Sequence, residues 1–292
     1  MFLRSYRMTG SGSSATTAHQ RRLRSKYGAW ALVTGASDGI GKAIAGQLAE
    51  AGFNLVLVAR RREVLEALAA DLARQHRIEA RALALDLGQR TAVSTLVSAT
   101  EDLDVGLLAA VAGFGTSGGF VDGLLDRELD MVDVNCRAVV ELSHHFAGRF
   151  VAQRRGGLIL MSSLLAFQGV PRAATYAATK AFIQTFAEGL RLELSRSGVD
   201  VVSCAPGPVR SGFEARANMR MSSAASPQVV ARQTLDALGR RTTVRPGFLS
   251  KFLEASLLPL PRRARSQIMG VVMGGMTRHQ NGSKEQQDGG LA

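Results

Sequence analysis

Cysteine is scarce: two thiols, Cys136 and Cys204, occur in 292 residues, both inside apolar stretches. Their spacing fits no metal-ligand pattern, so the expectation is two buried thiols in a reducing compartment, with no disulfide and no metal centre. Aromatic residues make up only 5% of the chain, and no basic stripe interleaved with aromatics is present. That argues against a nucleic-acid partner, which would need stacking platforms along a cationic track. No apolar run reaches the roughly 20 residues of a membrane span, and the first residues lack the apolar centre of a secretion signal. A cytoplasmic protein is expected. Lysine is also rare (Lys26, Lys42, Lys180, Lys251 and Lys284), so the net charge of +12 is carried by arginine. An excess of this size favours an anionic ligand or surface and leaves open peripheral contact with an acidic membrane.

What is present is a chain with 46% apolar residues, enough for one large core. Residues 1–26 combine a Gly/Ser/Thr/Ala stretch with Arg21, Arg22, Arg24 and Lys26 and have no apolar period, which predicts a disordered basic arm. From residue 27 to 247, short apolar runs alternate with amphipathic stretches: Asn54–Ala59, Ala80–Leu85, Gly106–Ala112, Gly157–Ser162 and Asp200–Ala205 read as strands, with helices between them. Such alternation predicts an α/β domain of the doubly wound Rossmann type, a parallel sheet with helices on both faces and ligands at the C-terminal strand edge. A long helix from about Glu128 to Arg154 is expected to break near Asn135, and residues 210–226 to form a mobile segment on the substrate side. Residues 248–278 read as an amphipathic extension, which could line a substrate entrance, a dimer surface or a membrane contact, or simply cover the sheet edge. Residues 279–292 read as a disordered tail.

The first strand runs into Thr34-Gly-Ala-Ser-Asp-Gly-Ile-Gly41. Gly35, Gly39 and Gly41, with Ser37 and Ile40 between them, form a tight turn that brings backbone close to a pyrophosphate at a helix N-terminus. Asp38, in the same loop, would oppose a phosphate unless it points away, which is the expectation. The second strand ends in Ala59-Arg60-Arg61-Arg62. An acidic residue there would accept from the ribose hydroxyls of NAD, whereas arginine pairs with the extra 2′-phosphate of NADP. Arg60, and after it Arg61, therefore point to NADP(H). Asp86 and Leu87, at the end of the third strand, would meet the adenine.

Ser163 follows another strand, and Tyr176-Ala-Ala-Thr-Lys180 opens an amphipathic helix. Residues four apart share a helix face, so an ammonium is held beside a phenol and is expected to ease its ionisation toward neutrality. Ser163 can hold a carbonyl oxygen.

With Thr34-Gly-x-x-x-Gly-Ile-Gly41, Asp86-Leu87, Asn135, Ser163, Tyr176-x-x-x-Lys180 and Pro206-Gly207 in order, the chain resembles the short-chain dehydrogenase/reductase family from about Tyr27 to Pro246. The resemblance implies that Tyr176 is the general acid or base. It implies that Lys180 lowers the Tyr176 pKa and binds the nicotinamide ribose, that Ser163 orients the substrate oxygen and that Asn135 holds a relay water. Pro206, Gly207 and Val209 would flank the nicotinamide, with Ser211 nearby. A homodimer or homotetramer packed through the Asn135 and Tyr176 helices is implied as well. One departure stands out: Ala110-Val-Ala-Gly113 replaces the family's Asn-Asn-Ala-Gly, which leaves the backbone of Ala112 and Gly113 to contact the cofactor. A looser likeness, over Leu103–Leu108 and the tail after Pro246, is to the 3-oxoacyl and 17-beta-hydroxysteroid reductases. It implies a lipophilic carbonyl or alcohol substrate in a pocket lined from residues 114–125, 164–172 and 210–224. The alternative is a non-catalytic NADP-binding sensor or interaction protein on the same fold.

Overall fold

The computed structural model describes residues 22–280 except 221–223, 248–249, 252–255 and 258. Seven parallel strands form one sheet: β1 (Trp30–Thr34), β2 (Asn54–Ala59), β3 (Ala80–Ala84), β4 (Val105–Ala110), β5 (Gly156–Met161), β6 (Val199–Cys204) and β7 (Thr243–Val244). Their spatial order is β3-β2-β1-β4-β5-β6-β7. The direction of winding thus reverses between β1 and β4, where the loops leaving the two strands part and open a crevice.

Helices α1 (Gly39–Glu50), α2 (Arg62–His76), α3 (Ala92–Ser98), α4 (Leu125–Val132), α5 (Ala138–Gln153), α6 (Ala174–Leu194), α7 (Phe213–Arg216), α8 (Pro227–Ala237) and α9 (Arg262–Met276) follow or connect the strands. Central strands are apolar on both faces because both are covered. Ala31, Val33, Leu55 and Leu57 pack with α1, α2 and α8. Their alternate neighbours Trp30, Leu32, Val56 and Val58 pack with α3, α5 and α6 on the opposite face.

The doubly wound parallel architecture is as expected, and most boundaries fall within two residues of the expected ones. The break near Asn135 is a five-residue π turn, Asp133–Arg137, between α4 and α5. Two stretches differ from expectation. Residues 22–27, mostly assigned to the disordered arm, are helical, because Leu23 and Tyr27 are four apart and bury together at the base of the sheet. The Tyr27 hydroxyl donates to Asp200 at 2.7 Å, and Lys26 pairs with the same carboxylate. The described part of 210–226 is tied down by a parallel bridge between Val209 and Ala225 and by α7. The rest of the basic arm, 1–21, and of the tail, 281–292, lie outside the described residues, as does part of the extension, 248–278. Among the described residues, no helix is long and apolar enough to cross a membrane, and no cluster of three metal-ligating side chains occurs.

Candidate active site

A cavity of about 680 Å³ opens at the C-terminal edge of the sheet, where β1 and β4 part. Its floor is the glycine loop. Gly35 and Gly39 hold φ of +67° and +51°, a region costly for residues with a Cβ. A Cβ on Gly35 would also stand 2.9 Å from the backbone of Ala112, and one on Gly41 would strike the Gly35 carbonyl. The glycines therefore keep backbone exposed at this end, with the N-terminus of α1 facing the cavity.

Gly35, Ser37, Gly39, Ile40 and Gly41 line this end, joined by Arg60, Arg61, Asp86 and Leu87 from the ends of β2 and β3. The Arg61 guanidinium donates to the Ser37 carbonyl at 3.0 Å and to its hydroxyl at 3.2 Å, which fixes one cation beside the loop. Arg60 is exposed at the cavity wall. Asp86 accepts from the Gly88 amide at 3.1 Å, so its carboxylate is held at the strand end.

Ala112 and Gly113 line the middle, despite the missing amide pair. Thr34 supplies a brace: its Oγ1 accepts from the amides of Val111 and Ala112, each at 3.0 Å, and fixes the exit of β4 against β1. A threonine just before the first loop glycine was the only sequence signal for this, and sequence reasoning passed over it.

Ser163 leaves β5 and caps a 3-10 turn, Leu164–Phe167, accepting from the Leu165 amide at 3.2 Å. Tyr176 and Lys180 descend on α6, and both are buried. The Lys180 Nζ donates to the Met161 carbonyl at 2.9 Å and lies 5.8 Å from the Tyr176 ring centroid. Burial pushes the Tyr176 phenol up to about 12, with its hydrogen bond to Ser163 pulling the other way. Burial also pushes the Lys180 ammonium down to about 8. The expected easing of phenol ionisation by Lys180 is not among these causes: burial sets the direction, and the phenol stays protonated near neutrality.

Asn135 stands one layer behind the cavity wall. Its Nδ2 donates to the Phe114 carbonyl at 2.9 Å and to Thr179 Oγ1 at 3.1 Å, and its Oδ1 accepts from the Phe114 amide at 3.1 Å. The π turn presents this amide inward. Gly113 separates it from the cavity, since a Cβ there would lie 2.8 Å from Asn135 Oδ1 and 3.3 Å from Lys180 Nζ.

Pro206, Gly207 and Val209 border the far side with Ser211. Beyond Tyr176 the walls are apolar: Phe114, Leu164, Leu165, Phe213, Met219, Met269, Val272, Met273 and Met276. Three stretches were expected here, and only the ends of the first two contribute. Phe120, Val121, Leu124 and Leu125 point outward, between 62% and 91% exposed. The methionines of α9 take their place, which is the substrate-entrance option among those open for the amphipathic extension.

A parallel sheet with this strand order, a bare glycine loop facing basic residues, and a buried Ser-Tyr-Lys group define an α/β dinucleotide-type oxidoreductase fold. The chain belongs to the short chain dehydrogenase family, whose sequence profile matches residues 29–222. It is 34% identical over 233 residues, 78% of this chain and 89% of the relative, to a 7beta-hydroxysteroid dehydrogenase of Clostridium sardiniense. It is 31% identical over 245 residues, 81% of this chain and 74% of the relative, to the human inactive hydroxysteroid dehydrogenase-like protein 1. Among solved structures, a short-chain dehydrogenase from Sphingobium yanoikuyae in complex with NADPH superposes with a TM-score of 0.71 at 29% identity, covering 79% of this chain and 93% of that one.

Proposed function

We propose that the protein is an NADP(H)-dependent reductase of a lipophilic ketone, or dehydrogenase of the matching secondary alcohol, with a substrate of steroid-like bulk. The observation that carries this reading is the continuity of one cavity. A cationic, glycine-floored end runs into a buried Ser163-Tyr176-Lys180 group, and that group faces apolar walls. The relatives' dehydrogenase activity and the neighbour's NADPH support it.

The residues fit the cofactor. The loop amides and the α1 N-terminus would hold the diphosphate, Arg60 and Arg61 the 2′-phosphate, and Asp86 and Leu87 the adenine. Lys180 would hold the nicotinamide ribose, with Ala112, Gly113, Pro206, Gly207 and Val209 around the ring. The bound nicotinamide supplies hydride. Tyr176, protonated at neutral pH, donates its proton to the substrate oxygen, and Ser163 Oγ donates a hydrogen bond to the same atom. Lys180, charged below about pH 8, offsets the negative charge left on the phenol. Asn135 keeps the Phe114 backbone and α6 in register behind them.

The decisive experiment is NADPH oxidation with a panel of bulky ketones, run beside NADPH and NADH titrations of the wild type and Arg60→Ala. Tighter NADPH binding that falls with Arg60→Ala, together with ketone turnover, supports the proposal. A second reading, a dinucleotide-binding protein without turnover, draws on the inactive human relative and on Ala110-Val111. NADPH binding without turnover of any ketone would favour it.

A further inference from the structure

Asp38 does not point away from the glycine loop into solvent. Its Oδ1 accepts from the Gly39 amide at 2.7 Å and caps α1, while its Oδ2 accepts from the Gly212 amide at 3.0 Å and from Arg216 Nη2 at 3.3 Å. The two loops also lie close together, with no room for a side chain at Gly39, where a Cβ would sit 2.8 Å from Ser211 Cβ. The chain that leaves β6 therefore crosses the mouth of the cavity and is fastened to the loop on its opposite side. Phe213, in the same crossing, lies against Tyr176 with ring centroids 5.5 Å apart. Both Asp38 and Arg216 line the cavity.

A bare carboxylate beside the diphosphate cradle would repel a dinucleotide. Pairing it with Arg216 removes that penalty and turns the residue into a fastener. We propose that Asp38, Gly212 and Arg216 form a clasp over the cofactor cleft. In this arrangement Asp38 is a positioning residue: it holds residues 211–216 closed over the dinucleotide and so sets how fast the cofactor leaves. The proposal rests on the NADP(H) reading above.

Two explanations of Asp38 predict opposite signs. If the residue acted only through its charge, Asp38→Ala would remove a repulsion and slow NADPH release. If it clasps, Asp38→Ala and Asp38→Asn both speed release, by about three- to tenfold for a partly exposed charge-assisted contact. Asp38→Asn keeps a helix-capping acceptor, so its effect separates the clasp from loss of the cap. The test is stopped-flow NADPH fluorescence on wild type, Asp38→Asn, Asp38→Ala, Arg216→Ala and the double alanine variant. The expected result is faster release in each single variant and a double variant no faster than the faster single one, because the two side chains share one contact. Slower or unchanged release in the Asp38 variants, or fully additive effects, would overturn the clasp while leaving the dinucleotide site standing. Failure of the wild type to bind NADPH would overturn both.

Discussion

Burial moves the pKa values of Tyr176 and Lys180 in opposite directions, each toward favouring its neutral form. The phenol, pushed up to about 12, is a proton donor at neutrality; the ammonium, pushed down to about 8, is near its titration point. Tyr176→Phe removes the donated proton and nothing that touches the glycine loop. Turnover should fall by about a hundredfold or more, with NADPH affinity kept within about twofold, as fluorescence titration beside steady-state kinetics would check. Lys180 makes a stability prediction with a definite sign. Its folded pKa lies below the unfolded value of about 10.4, so between about pH 8 and 10 the unfolded chain binds more protons, and stability rises with pH across that window. Below about pH 8 the lysine is charged in both states and the full cost of burying it is present. Lys180→Met should therefore melt higher than wild type at pH 7, with the difference shrinking toward pH 10, and be nearly inactive. A melting series of both proteins from pH 7 to 10 decides it. Tyr176 and Lys180 were legible because their spacing places them on one helix face, and Ser163 because it follows an apolar strand. The partners that shape their pKa values were not, since burial comes from residues such as Phe213 that are distant in sequence.

At the scale of elements, the strands were readable because Gly and Pro punctuate short apolar runs and because parallel strands buried on both faces cannot alternate with polar residues; their order in the sheet was not read from the sequence. What escaped was the destination of the outlying segments. Residues 22–27 have the composition of a tail, yet two apolar side chains suffice to seat them once the sheet exists. Helix α9 is amphipathic by sequence, but only the fold shows that Met269, Met273 and Met276 turn toward the cavity rather than toward a sheet edge. The brace at Thr34 makes an element-level prediction. Thr34→Val keeps the shape but strands the Ala112 amide, since the Val111 amide also donates to the Ala109 carbonyl at 3.1 Å; an amide left unpaired costs about 1 to 3 kcal/mol. We expect a loss of about 1 kcal/mol or more in urea unfolding, with weaker NADPH binding because Ala112 and Gly113 lose their anchor. Unchanged stability would mean that the β4 exit needs no brace, and that the family's amide pair was lost here without a substitute.

For the whole molecule, the outer faces of α5 and α6 raise the question of assembly. Val151, Phe182 and Leu192 are 37%, 44% and 79% exposed, and Phe182 stacks on Phe186 with centroids 5.9 Å apart. A shallow groove beside them is lined by Val140, Ala147, Phe186, Leu190 and Leu194. The two helices thus present a largely apolar face, interrupted by Ser143 and His144 in the same groove, and a two-fold axis through such a face lets each copy cover the other with the same residues. The Asn135 turn and the Tyr176-Lys180 pair lie on the elements that this contact would stiffen. A homodimer through α5 and α6 is therefore the expected state. Phe182→Glu should shift light scattering from dimer to monomer and lower the melting temperature, whereas Val121→Glu, at a more exposed position outside this face, should leave the dimer intact. If wild type runs as a monomer at micromolar concentration, or if Val121→Glu and not Phe182→Glu dissociates it, the assembly uses another surface. The stiffness of the Tyr176 helix must then come from the core of a single copy.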